Sequence, residues 1–387
     1  MASEDLEYVH ENGRTYGNET FYQPCVFLPA NDFKQQDMLS LQHQVFLHAL
    51  KGKLTTTRVL PSTRRILDLG TGPGHWAIAM AQQYPRSEVV GIDLTEWDLD
   101  TTEATLGEAK VTWELDDLDV WGREPDIATL ASRLEQFDFY TDTTHRNPLE
   151  SPSRSRSRSH TGLGAQSQAG TSSESLLADP YTLVGQPEPG WHFSDAFEMI
   201  HLRNMKGVFT HWEEVYAEIH KSLSPGGWVE IADYDLGHIP LPPDSSSGEA
   251  ALPTLRKLYA ATMEASFKSG RPLGTFYMHP SYLEEAGFES ITTTQVNVPV
   301  GPWPQDEAQK SIGKLMLVVV METFEAGLLR LLTKYGDKER VWSVEEVRVW
   351  SEAAQREIVE YSERAERGEV EGWCACFKWI TGRKGWH

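Results

Sequence analysis

The sequence predicts an α/β protein with a mostly parallel sheet covered by helices on both faces. From Arg65 onward, short apolar strand patterns alternate with helical patterns, which is typical of βαβ units. A glycine-rich turn, GTGPG at 70–74, joins the first of these strands directly to a helix. Because parallel strands all end at the same edge of a sheet, residues at their carboxyl ends are expected to share one site.

The elements are predicted in chain order from apolar periodicity. Strands are expected at 66–69, 88–92, 110–115, 197–201, 228–232 and 290–298, with a closing strand at 373–380. Helices are expected at 33–50, 75–83, 212–221, 251–269, 280–286, 305–333 and 343–366. The helix at 33–50 precedes the first strand of this alternation, and its single apolar stripe predicts that it packs on the domain.

The segment 123–191 interrupts this alternation with Ser, Arg, Pro, Gly and Gln, including SPSRSRSRSH at 151–160. Such a composition buries too little apolar surface to offset chain entropy, so we expect a largely disordered insertion. The Arg/Ser repeat is interpreted as a solvated linker, with a phosphorylation or nuclear-import segment as the alternative. The predicted organisation is an N-terminal segment at 1–60 and a domain at 61–122 and 192–387. Helical inserts are expected at about 248–287 and 305–366.

Charge and composition restrict the partners. The chain carries 35 Lys and Arg against 57 Asp and Glu, a net charge of −22. This charge repels nucleic acids and anionic membranes, so small molecules or basic proteins are the expected partners. An acidic start and the lack of a long apolar run predict a cytoplasmic and/or nuclear protein that is neither secreted nor membrane-bound. No metal site is predicted, because Cys25, Cys374 and Cys376 lack zinc-ligand spacing.

The turn after the first strand carries the main functional signal. The strand ends at Asp68-Leu69, and alternate glycines then allow the backbone to turn sharply and approach a bulky ligand. A dinucleotide fingerprint would need glycine where His75 stands. The Asp68 carboxylate would also repel a pyrophosphate, whereas it can attract the ammonium of S-adenosylmethionine (SAM). We therefore expect a SAM site and keep a NAD-dependent reductase as a remote alternative.

The ends of the next strands supply the other candidate SAM-binding residues. Asp93 ends the second strand, where a carboxylate can accept both ribose hydroxyls, and a helix cap or turn is its alternative role. Leu94 can pack on adenine. An acidic pair after the third strand can accept the adenine amine, and a solvated loop position is its alternative role. The fourth strand ends near the expected sulfonium. The complete set of expected SAM-binding residues is Asp68, Gly70, Thr71, Gly72, Gly74, Asp93, Leu94, Asp116, Asp117, Arg203 and Asn204.

These motifs resemble those of the fungal LaeA-like methyltransferases, whose pattern runs DLGTGTGIWA, GIDL, an acidic pair, FDFIHLRN and LKPGGWVE. The corresponding segments here are DLGTGPGHWA at 68–77, GIDL at 91–94, ELDD at 114–117, FEMIHLRN at 197–204 and LSPGGWVE at 223–230. The resemblance covers nearly the whole chain except 123–191. It implies a Rossmann-like class I methyltransferase sheet of seven strands, one of them antiparallel, with SAM across the strand ends. It also implies that residues 1–60 form a cap over the cofactor.

The resemblance leaves two roles open. One is methylation of a small-molecule secondary metabolite on oxygen, nitrogen or carbon in a fungal biosynthetic pathway. The other is a nuclear regulator of secondary metabolism that acts with protein partners. Methyl transfer from a sulfonium needs alignment and a dry site, and a base is optional. The catalytic residue is not assigned by the sequence: Asp233 and His201 are candidate bases, although a strand-interior histidine such as His201 is more often a packing residue.

Overall fold

The computed structural model describes residues 8–11, 13–18, 32–97, 109–121, 155–156, 189–236, 239–240 and 251–386. Most of the predicted insertion at 123–191 therefore lies outside the described residues, as does Cys25. Ser155–Arg156 is described as a short strand. None of the helices in the described ranges is both long enough and apolar enough to cross a bilayer.

One sheet organises the described part of the chain, and a small hairpin accompanies it. The hairpin pairs β1 (Tyr8–Glu11) with β2 (Arg14–Asn18). The sheet strands are β3 (Arg65–Leu69), β4 (Glu88–Asp93), β5 (Lys110–Leu115), β6 (Ser155–Arg156), β7 (Phe197–Arg203), β8 (Leu223–Asp235), β9 (Glu289–Pro299) and β10 (Cys374–Arg383).

The strand order in the sheet is β5-β4-β3-β7-β8-β10-β9-β6. The neighbouring strands from β5 to β8 pair in parallel, whereas β10 runs antiparallel to both β8 and β9. This arrangement confirms the expected sheet of seven mostly parallel strands with one antiparallel member. The two-residue β6 adds a short antiparallel edge next to β9.

Seven α-helices are described, and each corresponds to a predicted one, with its ends displaced by two residues at most. They are α1 (Phe33–Ala49), α2 (His75–Gln83), α3 (Trp212–Ser222), α4 (Pro253–Lys268), α5 (Pro280–Glu285), α6 (Glu307–Lys334) and α7 (Val344–Glu366). The correspondence follows from the apolar stripe that each helix buries against its neighbours.

Strand β3 shows why the centre of the sheet reads as a continuous apolar run. Ile66 packs with Trp76 of α2, whereas Leu67 and Leu69 pack with the core on the α3 side. Because successive side chains point to opposite faces, a strand covered by helices on both faces must be apolar throughout. Asp68, which is 3% exposed, is the polar exception.

The start of β8 differs from the prediction. The strand begins at Leu223, five residues before the expected start, and includes the Pro-Gly-Gly run at 225–227. Phe197 of β7 pairs with Leu223, yet Met199 pairs with Trp228, so the extra residues of β8 bulge out. Gly226 takes a φ of +78°, and its N–H donates to the Lys384 carbonyl at 3.0 Å. The glycine therefore shapes a bulge within the strand.

Helix α1 is anchored at its start by a carboxylate that serves two partners. Asp32 caps the helix by accepting from the Gln35 N–H at 2.9 Å, and it pairs with Arg14 of the β1–β2 hairpin at 2.6 Å. Met38 and Phe46 bury the apolar face of α1 in the core that α6 shares. The polar side chains between them can consequently reach the carboxyl ends of the strands.

Candidate functional site

A cavity of about 320 Å³ lies at the carboxyl ends of the parallel strands. Its walls come from the loops after β3, β4, β5 and β7, from the end of β8, and from α1. Five aspartates and three cations, two Arg and one Lys, line it, an excess of two negative charges. This balance favours a ligand with positive charge over a pyrophosphate.

The glycine-rich turn forms the floor of the cavity. Gly70, Gly72 and Gly74 all have positive φ values, of 65°, 56° and 71°. A Cβ added at Gly72 would meet only Leu39, at 3.9 Å, so this position opens toward the cavity. Thr71 donates its hydroxyl to Asp68 Oδ2 at 2.7 Å, which ties the turn back to the strand. The backbone here can therefore approach a bulky ligand closely.

Asp93 connects the second strand to the same turn. Its Oδ2 accepts from the Gly72 N–H at 2.7 Å, and its Oδ1 accepts from the Thr95 N–H at 3.0 Å. Burial raises the pKa of Asp93, and the backbone hydrogen bonds oppose that shift. A carboxylate in this setting gains from further hydrogen-bond donors, such as the two hydroxyls of a ribose.

The acidic pair after β5 lies on the same side of the cavity. Asp116 and Asp117 line it together with Leu94 and Trp97, which supply an apolar and an aromatic face. The Asp116 N–H donates to the Asp93 carbonyl at 3.1 Å, so the ends of β4 and β5 are fixed to each other. This wall combines acceptors and flat surfaces, as binding of a purine requires.

The end of β7 is joined to α1 by polar contacts. Asn204, with a φ of +60°, donates Nδ2 to Gln42 Oε1 at 2.7 Å, and Gln42 donates to the Tyr234 hydroxyl at 3.2 Å. Arg203 donates to His43 Nδ1 at 3.1 Å. Burial lowers the pKa of Arg203 to about 10, despite the opposing charge of Asp68. Asn204 lines the cavity, and its buried Oδ1 has no hydrogen-bond partner in the described residues.

Burial also sets the charge of His43. Desolvation, together with the charge of Arg203 and the nearby His75 and His201, lowers the pKa of His43 to about 3. The imidazole is therefore neutral at physiological pH, which agrees with its role as acceptor toward Arg203. The His43 and His75 rings lie 5.8 Å apart, and His75 lines the cavity.

A second cluster lies beyond the end of β7. Lys206 donates to Asp233 Oδ1 and to the Tyr234 carbonyl, each at 2.5 Å, and its Nζ lies 3.9 Å from the centroid of the Tyr234 ring. Asp233, which is fully buried, also accepts from the Tyr277 hydroxyl at 2.5 Å. Burial is the largest single influence on the pKa of Lys206 and lowers it, but the charge and hydrogen bond of Asp233 together with the charges of Tyr234 and Asp235 outweigh burial, and the net shift is upward. Lys206 is consequently a cation.

A third pair lies in the same cavity wall. Arg271 donates NH2 to Asp119 Oδ2 at 2.5 Å and NH1 to the Val208 carbonyl. The side chains of Arg271 and Asp119 are 6% and 10% exposed. This ion pair links the segment after α4 to the segment after β5 and closes one side of the cavity.

The structure brings ten of the eleven expected SAM-binding residues to the cavity wall. The exception is Gly74, whose missing side chain makes room for Trp113: a Cβ there would lie 2.4 Å from the indole. Gly74 therefore serves the packing of the turn against β5. Its role in direct ligand contact is not supported.

Neither candidate base lines the cavity. His201 is 1% exposed, stacks on Trp76 with ring centroids 3.7 Å apart and hydrogen-bonds Asp68 at 2.8 Å. Asp233 lies behind Lys206 and Tyr234, which do line it. Both side chains can act on the site only through a neighbour.

Several lining residues were missed by the sequence reasoning. Gln35, Met38, Leu39 and Gln42 come from α1, whose apolar stripe predicted packing but not which polar residues face a ligand. Arg271 and Thr323 come from distant segments that carry no local motif. The others lie within five residues of a predicted site residue: Trp97, Asp119, Lys206, Val208 and Phe209.

The cysteines and the other acidic groups give no further site. Cys374 and Cys376 are free and lie on β10, as predicted, where burial raises their pKa values to about 12 and about 11. Within the described residues, no group of three or more His, Cys, Asp or Glu side chains is arranged to hold a metal ion.

Comparison with known families gives a match over most of the sheet. A family described as "Methyltransferase domain" matches residues 41–289, more than half of the chain. This range begins in α1 and ends at the start of β9, so it contains every lining residue after Leu39 except Thr323.

Individual relatives cover nearly the whole chain. "Methyltransferase pytC" of Aspergillus terreus (strain NIH 2624 / FGSC A1156) is 24% identical over 365 residues, 93% of this chain and 85% of that protein. "Secondary metabolism regulator LAE1" of Cochliobolus heterostrophus is 27% identical over 342 residues, 86% of this chain and 84% of that protein. "Protein-methionine methyltransferase laeA" of Emericella nidulans is 25% identical over 370 residues, 93% of this chain and 75% of that protein. The predicted resemblance to LaeA-like proteins is confirmed.

Solved structures also align, at lower similarity. The structure of YjhP from E. coli is 13% identical and covers 94% of this chain and 97% of that chain, with a TM-score of 0.37.

The sequence relatives carry names of two kinds, methyltransferases and regulators of secondary metabolism.

Proposed function

Because the chain belongs to the methyltransferase domain family and is a SAM-dependent methyltransferase, we propose that it methylates a small-molecule acceptor in fungal secondary metabolism. One observation supports this choice of acceptor. The cavity continues from the glycine-rich turn to a partly aromatic wall of Met205, Phe209 and Tyr234. Such a concave, partly apolar space suits a small apolar molecule better than a folded protein surface.

In this proposal the donor lies over β3, β4 and β5. Asp68 and the backbone of the turn face its amino-acid part, Asp93 faces the ribose, and Asp116 and Leu94 face the adenine. The excess of carboxylates in the lining supports a donor that carries a sulfonium and an ammonium. Bound SAM would supply an activated methyl group, so the residues need to align the acceptor and exclude water.

The acceptor would lie beyond the end of β7, where Lys206, Tyr234 and Thr323 line the cavity. Helix α1 lines the same cavity through Met38 and Gln42, and Gln42 joins the helix to both Asn204 and Tyr234. We therefore assign residues 1–60, of which α1 is the main described part, as a cap over the site. The helical inserts at about 248–287 and 305–366 supply the remaining wall through Arg271 and Thr323.

The reaction class is tested by metabolite profiling of the producing strain with and without this chain. An enzyme of a single pathway predicts one accumulating compound that is lighter than the missing product by one CH2. Complementation with wild type restores the product, and complementation with Gly72→Arg does not. An unchanged profile in the deletion strain would contradict the proposal.

A nuclear regulator is the second candidate, and the similarity to LAE1 favours it. In that case deletion would reduce the products of several unrelated pathways at once, with no accumulating precursor. A pull-down with the chain, with and without residues 123–191, would then recover protein partners that depend on the insertion. The reductase alternative is set aside, because the family is one of methyltransferases.

A further inference from the structure

Lys206 forms an ion pair with a buried carboxylate but is itself partly exposed at the cavity wall. Its side chain is 23% exposed, whereas that of its partner Asp233 is fully buried. Two of the three ammonium hydrogens are directed to Asp233 Oδ1 and the Tyr234 carbonyl, each 2.5 Å away. Lys206 also lines the cavity. The third N–H of the ammonium has no oxygen or nitrogen acceptor in the part of the chain that the structure describes, and the Tyr234 ring beside it, with its centroid 3.9 Å from Nζ, leaves the ammonium open to an additional acceptor.

Asp233 does not depend on the ammonium for its hydrogen bonds. Its carboxylate also accepts from the Tyr277 hydroxyl at 2.5 Å, the Tyr234 N–H at 2.7 Å and the Lys206 N–H at 3.2 Å. Three donors are enough to satisfy a buried carboxylate. The Asp233 contacts therefore hold the ammonium in place at the cavity wall and leave its remaining donor available to a ligand.

The chemistry of the ammonium restricts what it can recognise. Burial lowers the pKa of Lys206, whereas the charges of Asp233 and Tyr234 raise it, and the net shift is upward. The ammonium therefore keeps its protons at neutral pH. It can donate a hydrogen bond and attract an anion through its positive charge, and it cannot serve as a base. The adjoining wall of Met205, Phe209 and Tyr234 is apolar and partly aromatic. Such a wall suits the flat carbon skeleton of an aromatic or conjugated acceptor.

From this geometry we infer that Lys206 binds an acidic hydroxyl of the acceptor as its anion, so that the acceptor is a phenol or another acidic hydroxyl compound methylated on that oxygen. The inference rests on the proposed small-molecule function and narrows it to O-methylation. A protonated amine has no lone pair to accept a hydrogen bond from the Lys206 ammonium, so the contact favours an oxygen acceptor.

The step balances without a protein base. The acceptor hydroxyl loses its proton to water on binding, because the Lys206 charge lowers its pKa. An oxygen lone pair then forms the new O–CH3 bond as the S–CH3 bond breaks. The electron pair of the broken bond goes to sulfur, so the products are the methyl ether or ester and S-adenosylhomocysteine. No oxidant or reductant takes part.

The first test identifies the methylated atom directly. Purified full-length chain is incubated with [methyl-13C]SAM and a small-molecule extract from the strain that lacks it, and the new methyl group is read by 1H–13C correlation spectroscopy. An O–CH3 signal is expected. An N–CH3, S–CH3 or C–CH3 signal overturns the inference and leaves the proposed function standing. If no small molecule is labelled, the proposed function fails, and the inference fails with it.

The second test separates acceptor binding from a structural role of Lys206. Lys206→Met is expected to bind SAM as wild type does by calorimetry but to raise KM for the acceptor by about tenfold. The acidic limb of its kcat/KM profile should move upward by about one pH unit or more, because the acceptor must ionise unaided. Lys206→Arg should restore part of both effects.

The control for charge removal is Lys221→Met, since Lys221 is an exposed residue of α3 paired with Glu218. It should behave as wild type in both measurements. An acidic limb in Lys206→Met that coincides with that of wild type would overturn the inference. Weaker SAM binding by Lys206→Met would also overturn it, because the lysine would then act on the donor side.

Discussion

His201 Nδ1 lies 2.8 Å from Asp68 Oδ1, and this contact fixes the carboxylate from which the glycine-rich turn begins. The other oxygen, Oδ2, accepts from the Thr71 hydroxyl. His201 itself is held flat against Trp76 and does not line the cavity. The histidine is therefore placed to position Asp68 and cannot reach an acceptor.

The first prediction follows from that contact. His201→Phe keeps a ring to stack on Trp76 but removes the donor to Asp68, so we expect SAM to bind about tenfold more weakly, because a hydrogen bond to a charged group is lost. At saturating SAM, turnover should remain close to that of wild type. Calorimetry and steady-state kinetics measure the two effects. His192→Phe, at an exposed position, is the control.

A base role for His201 makes the opposite prediction. SAM affinity would stay unchanged in His201→Phe, and turnover would be lost at every SAM concentration. Since the imidazole is 1% exposed, such a result would require a rearrangement of β7 on acceptor binding. That outcome would sink the positioning role.

The second prediction concerns the open face of the turn. Gly72→Arg places a long side chain where a Cβ meets only Leu39, and it forces an L residue to a φ of +56°. We expect SAM affinity to fall by roughly 100-fold or more, because the substitution strains the backbone and also fills space that the ligand needs. Calorimetry gives the affinity, and the loss of SAM-induced thermal stabilisation provides a second reading.

The matched control is Gly327→Arg. Gly327 lies on α6 at an exposed position, and a Cβ built there has no neighbour within 4 Å. The same change of side chain should leave SAM affinity as it is in wild type. Equal affinities for wild type and Gly72→Arg would remove the turn from the donor site.

The third prediction tests the cap. Gln42 of α1 accepts from Asn204 and donates to Tyr234, so it joins the helix to the ends of β7 and β8. Gln42→Leu removes the acceptor of the Asn204 amide and one of the partners of the Tyr234 hydroxyl, and a buried unpaired group costs about 1–3 kcal/mol. We expect weaker SAM binding and faster hydrogen exchange in α1. Gln44→Leu, on the exposed face of the same helix, should change neither.

If Gln42→Leu bound SAM as tightly as wild type and α1 exchanged no faster, the helix would be a packing element only. The assignment of residues 1–60 as a cap would then lose its support. The two readouts are independent, because affinity reports the donor and exchange reports the local stability of the helix.

The sequence predicted one half of this site far better than the other. Asp68, Asp93 and Asp116 could be found because each lies at or next to the carboxyl end of a strand, and parallel topology brings all strand ends to one edge. Gln42 and Arg271 reach the same cavity from segments that are far apart in the chain, and no local pattern marks them. The positions of Gln42 and Arg271 depend on how the helices pack over the sheet, and the apolar periodicity of one segment does not predict that packing.

Gly74 shows the converse limit. The glycine pattern predicted a ligand contact, and the space in front of Gly74 is instead filled by Trp113 from β5. Alternate glycines in a turn indicate that there is no room for side chains at those positions. The pattern does not distinguish whether a ligand or a neighbouring side chain fills the space. Only the position of β5 in the sheet resolves this.

The last prediction uses the buried imidazole of α1. Burial lowers the pKa of His43 to about 3, whereas in the unfolded chain it lies near the ordinary value of 6.5. A histidine with a lowered folded pKa contributes its full stability above pH 6.5, and that contribution is lost as the pH falls toward 3. Within this window the unfolded state binds one proton more than the folded state. The unfolding free energy therefore falls by about 1.4 kcal/mol for each pH unit by which the pH is lowered.

His43→Asn retains a side-chain acceptor for Arg203 but cannot take up a proton. We therefore expect the unfolding free energy of His43→Asn to fall less steeply than that of wild type between pH 6.5 and the acid limit of the folded state. His48→Asn, an exposed residue of the same helix, should follow the wild-type curve. Denaturant titrations at a series of pH values measure the three curves. Parallel curves for wild type and His43→Asn would mean that His43 takes up its proton in the folded state, and the neutral acceptor beside Arg203 would have to be abandoned.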